Sequence, residues 1–133
     1  VADALTICLA LGSLILDLGS PTIELRWTHS VQRSQWSEQW QATPEGLVAL
    51  EAAIEGSGAG MDPPEGARRT ATGWLWRPDL PPLPSLDLAR SDATADWTIC
   101  RADRCATVTE LTGRPADGEP ARLSPCPAQT TDG

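Results

Sequence analysis

Leu5-Thr6-Ile7-Cys8-Leu9-Ala10-Leu11-Gly12-Ser13-Leu14-Ile15-Leu16-Asp17-Leu18 reads as two strands joined by a two-residue turn. Gly12 stands at the first central position, where a type II′ turn requires positive φ. With the turn placed there, Leu11 faces Leu14, Leu9 faces Leu16 and Ile7 faces Leu18. One face then carries Leu5, Ile7, Leu9, Leu11, Leu14, Leu16 and Leu18, and the other Thr6, Cys8, Ala10, Ile15 and Asp17. A signal-peptide reading of the same run is opposed by Asp3, which stands where a basic segment belongs, and by the lack of a small-x-small cleavage site. The apolar run also falls short of the ~20 residues of a spanning helix, so no membrane span is expected.

The period of two continues beyond this hairpin. Residues 22–29 alternate Ile23, Leu25, Trp27 and His29 against Glu24, Arg26 and Thr28, and residues 36–43 alternate as well. Residues 46–55 form an apolar strand after the Thr43-Pro44-Glu45-Gly46 turn. Residues 56–72 form a long Gly/Pro-rich loop. Short strands follow at residues 74–76, 85–89 and 97–100, the last turning through Arg101-Ala102-Asp103-Arg104 into a strand at residues 105–111. Leu80-Pro81-Pro82-Leu83-Pro84 must be extended, either as a rigid connection across one end of the fold or as a ligand for Pro-binding modules. From residue 113 onward Pro, Gly, Asp and Ala dominate, which predicts a disordered tail. The expectation is all-β: one domain over residues 1–112, a small barrel or sandwich of about eight to ten mostly antiparallel strands, and a tail over residues 113–133.

Composition narrows the chemistry. The 133 residues include no Lys, Tyr or Phe, a single His, and a formal net charge of −8. Schiff-base chemistry, a Walker lysine and a tyrosine acid/base are thereby excluded. The acidic balance argues against nucleic acid as a partner, because such binding needs a basic face. Gly56-Ser57-Gly58-Ala59-Gly60-Met61 lacks the Lys of a phosphate loop, and Pro63-Pro64 prevents the following helix. Gly58 and Gly60 remain candidates for an anion-binding nest of backbone N–H groups, against a loop packed closely on the fold.

The candidate site comes from pairing residues 22–30 with residues 35–43 through a four-residue loop, residues 31–34. That register sets His29 opposite Trp36, Trp27 opposite Glu38 and Leu25 opposite Trp40. His29, Ser30, Glu38, Trp27, Trp36 and Trp40 then gather on or beside one face, a His-Glu diagonal framed by indoles that suits a small polar ligand. The alternative is that the tryptophans cover one end of the fold and His29 is a hydrogen-bonded core or rim residue. Cys100 and Cys105 face each other across their turn, within disulfide reach. Cys8 and Cys126 have no evident partner, so four thiols in a reducing compartment is the competing reading. Zinc on Cys100, Cys105 and His29 would have too few ligands, and no metal or other cofactor is expected.

Trp27-Thr28-His29-Ser30-Val31, then Trp36, Glu38 and Trp40, the Gly56 to Met61 run with Pro63-Pro64-Glu65-Gly66-Ala67, Trp74, Arg77-Pro78-Asp79-Leu80-Pro81-Pro82-Leu83-Pro84, and Trp97-Thr98-Ile99-Cys100 with Cys105 form an ordered series. Over roughly residues 5–108 it resembles the bacterial family called domain of unknown function 1850. The resemblance implies a setting beside TAXI-type TRAP transporters, which take up small organic acids with a soluble binding protein and a permease. It supplies no mechanism. Gln32 and Ser37-Glu38-Gln39 replace acidic residues of the family pattern, leaving Glu38 as the one carboxylate partner for His29.

Two functions are carried forward. One is a non-catalytic accessory or small-ligand-binding protein of such a transport system, in contact with its binding protein or permease or with a small organic acid. The other is a small enzyme or metal-binding protein centred on His29 and Glu38. The single His and the want of paired carboxylates favour the first. Without an export signal the expected location is cytoplasmic, with periplasmic as the alternative.

Overall fold

The computed structural model describes residues 4–29, 34–56, 65–93 and 95–127, with His29 described by its backbone. The strands are β1 (Leu5–Leu11), β2 (Leu14–Asp17), β3 (Thr22–His29), β4 (Ser34–Thr43), β5 (Gly46–Glu55), β6 (Arg68–Arg69), β7 (Gly73–Trp76), β8 (Leu86–Leu88), β9 (Thr98–Arg101) and β10 (Arg104–Thr107), then the short helix α1 (Val108–Thr112) and β11 (Ala121–Pro127). They build two antiparallel sheets, ordered β2-β1-β11-β8 and β10-β9-β3-β4-β5-β7-β6. Neither closes on itself, so of the two all-β architectures expected the fold is a sandwich.

The first hairpin forms as its sequence dictates. Leu11 pairs with Leu14 and Leu9 with Leu16, and Leu18 donates its N–H to the Ile7 carbonyl at 2.9 Å. Gly12 has φ +60°, and Ala102 is the one non-glycine with positive φ among the described residues. Positive φ at Gly12 but not at Ser13 is the type II′ pattern. Ile7, Leu9 and Leu11 point inward together with Leu88, Ala121 and Leu123 of the same sheet and meet Ile23, Leu25, Trp40, Ala42, Leu47, Ala49 and Ile99 of the opposite sheet, with Val108 of the short helix joining the cluster.

The C-terminal region departs from expectation. Residues 121–127 are no tail: β11 lies between β1 and β8, with Leu9 opposite Leu123 and Thr6 opposite Cys126. The domain therefore continues past residue 112, and residues 128–133 lie outside the described residues. Pro125 and Pro127 argue locally against a strand with neighbours on both sides. In fact β8 pairs only with Ala121, Arg122 and Leu123, so both prolines fall beyond its reach. Arg114, in the connection before β11, donates from Nη1 to the Leu11 carbonyl at 3.0 Å. Among the described residues the strands number eleven, the excess over expectation being β11 and the two-residue β6.

Residues 105–111 are not one strand. Thr107 accepts from the Glu110 backbone N–H while the Glu110 side chain accepts from the Thr107 N–H, a capping box that starts α1. The buried Arg90 guanidinium bonds through Nε and Nη2 to both carboxylate oxygens of Asp96, each at 3.1 Å. Nη2 also reaches the Arg114 carbonyl at 2.9 Å. Asp96 in turn accepts from the Thr109 and Trp97 N–H groups. This knot ties the end of β8 to the start of β9 and to α1.

Leu83 exchanges two backbone hydrogen bonds with Leu47. The proline run is thus the extended connection that carries the chain from one sheet to the other.

Candidate binding site

The β3–β4 pairing sets the site, and it differs from the sequence expectation by two residues. Trp27 pairs with Trp36, Leu25 with Glu38, Ile23 with Trp40 and His29 with Ser34, so the connection is residues 30–33 and not 31–34. A shift of two preserves which residues share a face, which is why alternation alone left it undetermined. The consequence for chemistry is larger. His29 and Glu38 stand four residues apart along the ladder, about 13 Å of strand rise, and the His-Glu diagonal does not exist. The His29 side chain, Ser30, Gly58 and Gly60 lie outside the described residues.

Four indoles line up across the sheet. The rings of Trp97 and Trp27 lie 5.0 Å apart at their centroids, Trp27 stacks on Trp36 at 5.8 Å and 18°, and Trp36 meets Trp76 edge to face at 6.2 Å and 88°. Such offset and perpendicular arrangements suit the ring quadrupole. The strands make this row possible through an irregularity in β5. Gln39 pairs with Glu51 but Trp40 with Ala49, so Leu50 is an extra residue in a bulge. On one side of the bulge Leu47 and Ala49 are buried, and on the other Ala52 and Ile54. The inward set changes from odd to even numbers, and β5 continues the inner face beyond the core.

Ala52 is opposite both Glu38 and Trp76, and Ile54 opposite both Trp36 and Trp74. A methyl group at position 52 leaves room for the indole of Trp76 to lean toward Trp36. Gly73 fixes where β7 begins: a Cβ there would lie 1.7 Å from the Ile54 carbonyl oxygen, so only glycine admits this approach. Past Trp74, the Arg69 guanidinium sits over the indole, 5.9 Å from the ring centroid.

Glu38 stands between the aliphatic core and the indoles. Burial pushes its carboxyl above the ordinary range, and a hydrogen bond from Trp40 partly counters that shift. The Trp40 Nε1–H donates to Glu38 Oε1 at 3.2 Å. Among the described residues Glu38 has no ion-pair partner. Trp40 itself is 2% exposed. It belongs to the core and not to an accessible face, offering the site only its N–H. The half-buried members are Trp27, Trp36, Trp76 and Glu38. Trp76 and Trp97 were not placed at the site from sequence, because joining β7 and the start of β9 to β3 and β4 depends on long-range pairing.

All four cysteines are bonded. Cys100–Cys105 crosses the β9–β10 turn as expected, and Cys8–Cys126 joins β1 to β11 with Cα atoms 5.8 Å apart. The second bond overturns the reading of Cys8 and Cys126 as unpartnered thiols, since Cys126 lies in β11 and not in a tail. Neither pair is free to ligate zinc in this state. Asp17 lies beside the Cys8–Cys126 bond and accepts from Thr6 Oγ1 at 2.7 Å.

No helix among the described residues is long and apolar enough to cross a membrane. A family model described as a domain of unknown function, DUF1850, matches residues 23–108, a narrower span than the resemblance from residue 5. It takes in β3 to β10 and the whole row of indoles, and leaves out the first hairpin and β11. No curated protein and no solved structure matches.

Proposed function

The chain belongs to the DUF1850 family, and on that premise we propose that it is a non-catalytic accessory protein that holds a small ligand on the Trp27, Trp36, Trp76 and Glu38 face. The observation that carries this reading is Glu38, a half-buried carboxylate set among indoles that has one hydrogen-bond donor among the described residues, Trp40. A carboxylate left so poorly compensated costs stability in the free protein. A ligand that completes its contacts gains what the fold forgoes. The separation of positions 29 and 38 along the ladder supports the accessory reading over an enzyme or metal centre on His29 and Glu38.

The transport setting is the part that rests on sequence resemblance: an accessory of a TAXI-type TRAP system, meeting its binding protein or permease and sampling the small organic acid it carries. Two disulfides favour an oxidising compartment, and so the periplasmic location over the cytoplasmic one. The test is co-purification with the transporter subunits, with and without candidate organic acids, together with indole fluorescence of the isolated protein. Retention of a subunit and a saturable fluorescence change are the expected results. A protein that elutes alone and whose fluorescence ignores every acid supplied refutes the reading.

A further inference from the structure

Resting on the reading of this face as a binding site, we propose that it recognises the ammonium head of an organic cation, held between the Glu38 carboxylate and the ring faces of Trp36 and Trp76. Three observations point there. Trp36 and Trp76 meet edge to face at 88° with centroids 6.2 Å apart, which sets one ring plane across the other and leaves a re-entrant angle between them, while Trp27 covers one face of Trp36. Glu38 neighbours that corner, two residues along β4 from Trp36 and separated from Trp76 by Ala52, whose side chain is a single methyl. Its negative charge has no ion-pair partner among the described residues, in a chain of net charge −8.

A negative carboxylate beside indole faces attracts cations twice over, by charge and by the ring quadrupole. A quaternary or alkylated ammonium suits such a corner best, because its methyl groups bury apolar area while its charge stays diffuse. An anion would meet the carboxylate with repulsion. The neighbouring indole already shows the same preference, for Arg69 lies over Trp74. For a system that carries organic acids, the ligand class is an acid that also bears an ammonium group.

Choline and its neutral isostere 3,3-dimethylbutan-1-ol differ in one atom, a charged nitrogen against a carbon. Titrated into the full chain and followed by indole fluorescence, choline is expected to bind about tenfold or more tightly than the alcohol. Glu38→Gln keeps an oxygen to accept from Trp40, and it should reduce that preference to about threefold or less. Trp36→Leu, with its fold checked by circular dichroism, should weaken choline without creating affinity for the alcohol. Equal binding of the two by the unmodified protein, or a preference that survives Glu38→Gln, overturns the proposal. Succinate separates this from the broader reading. Glu38-dependent binding of succinate without binding of choline leaves a ligand site and removes the cation, whereas indifference to all three probes removes both.

Discussion

β3 and β4 present the same side of one sheet along their whole length, yet the two ends of that side hold different matter. At one end Ile23, Leu25 and Trp40 are 3%, 0% and 2% exposed, closed over by the core with Ile7, Leu9 and Leu123. At the other, Trp27 and Trp36 stay half-buried, their rings in contact with one another and with Trp97 and Trp76, and Trp27 and Trp97 also pack against the edge of the core. The seven-stranded sheet has more inner face than the four-stranded one covers. Aliphatic side chains fill the covered part, where only volume and shape matter. Indoles fill the rest, because an amphipathic ring tolerates a boundary that an isoleucine does not. Glu38 marks the border, opposite fully buried Leu25 and two residues from Trp36.

The sharpest way to break this contrast is at the closed end. Leu9→Asp places an unpaired charge in the core and should cost several kcal/mol, enough to unfold a typical domain. An unchanged melting temperature would mean that β1 does not roof the core.

Next in size is the staple that holds the roof together. Cys8–Cys126 closes a sequence separation of 118 residues, for which chain entropy gives about 5 kcal/mol. The Cys8→Ser, Cys126→Ser double variant should lose most of that in urea unfolding. Removing Cys100–Cys105, with a separation of 5, should cost about 2 kcal/mol. Equal losses would show that β11 is held by its ladder alone.

Asp96→Asn lies between these two. It leaves the guanidinium of Arg90, whose Nη1 already has no partner among the described residues, without its counter-charge, at a cost of about 3 to 5 kcal/mol. Burial alone would raise the Asp96 carboxyl, but bonds from Arg90, Thr109 and the Trp97 N–H hold it below its ordinary range. A depressed folded pKa means stability present above the unfolded value and lost as pH falls through the folded one. The gap between wild type and Asp96→Asn should therefore be full at neutral pH and shrink below about pH 4. A gap independent of pH would remove the charge from the explanation.

How much of this was legible in the sequence follows the range of the forces involved. The first hairpin was readable because turn chemistry at Gly12 and alternation of the leucines specify one register, and the Cys100 to Cys105 turn was readable for a similar reason. The β3–β4 pairing was readable only to within two residues, since alternation fixes faces while the stack of Trp27 on Trp36 picks the partner. The helix α1 had a local signal, Thr107 three residues before Glu110, which the preceding strand pattern obscured. β11 was illegible because its two prolines count against a strand until the reach of β8 is known. The site was half legible: Trp27, Trp36 and Glu38 come from one local pair of strands, whereas Trp76 and Trp97 arrive through strands distant in sequence.

The measurement that bears most directly on the contrast is made on Glu38→Gln, by following thermal unfolding and ligand binding on the same preparation. Burial holds the Glu38 carboxyl above its ordinary range in the folded protein, so the folded state resists its ionisation and stability rises as pH falls through that raised value. Glutamine removes the charge. The variant should melt at or above the wild-type temperature at neutral pH, should lose that advantage in acid, and should bind ligand more weakly. A variant that melts lower at neutral pH and binds as well as wild type would make Glu38 a part of the scaffold and contradict the account.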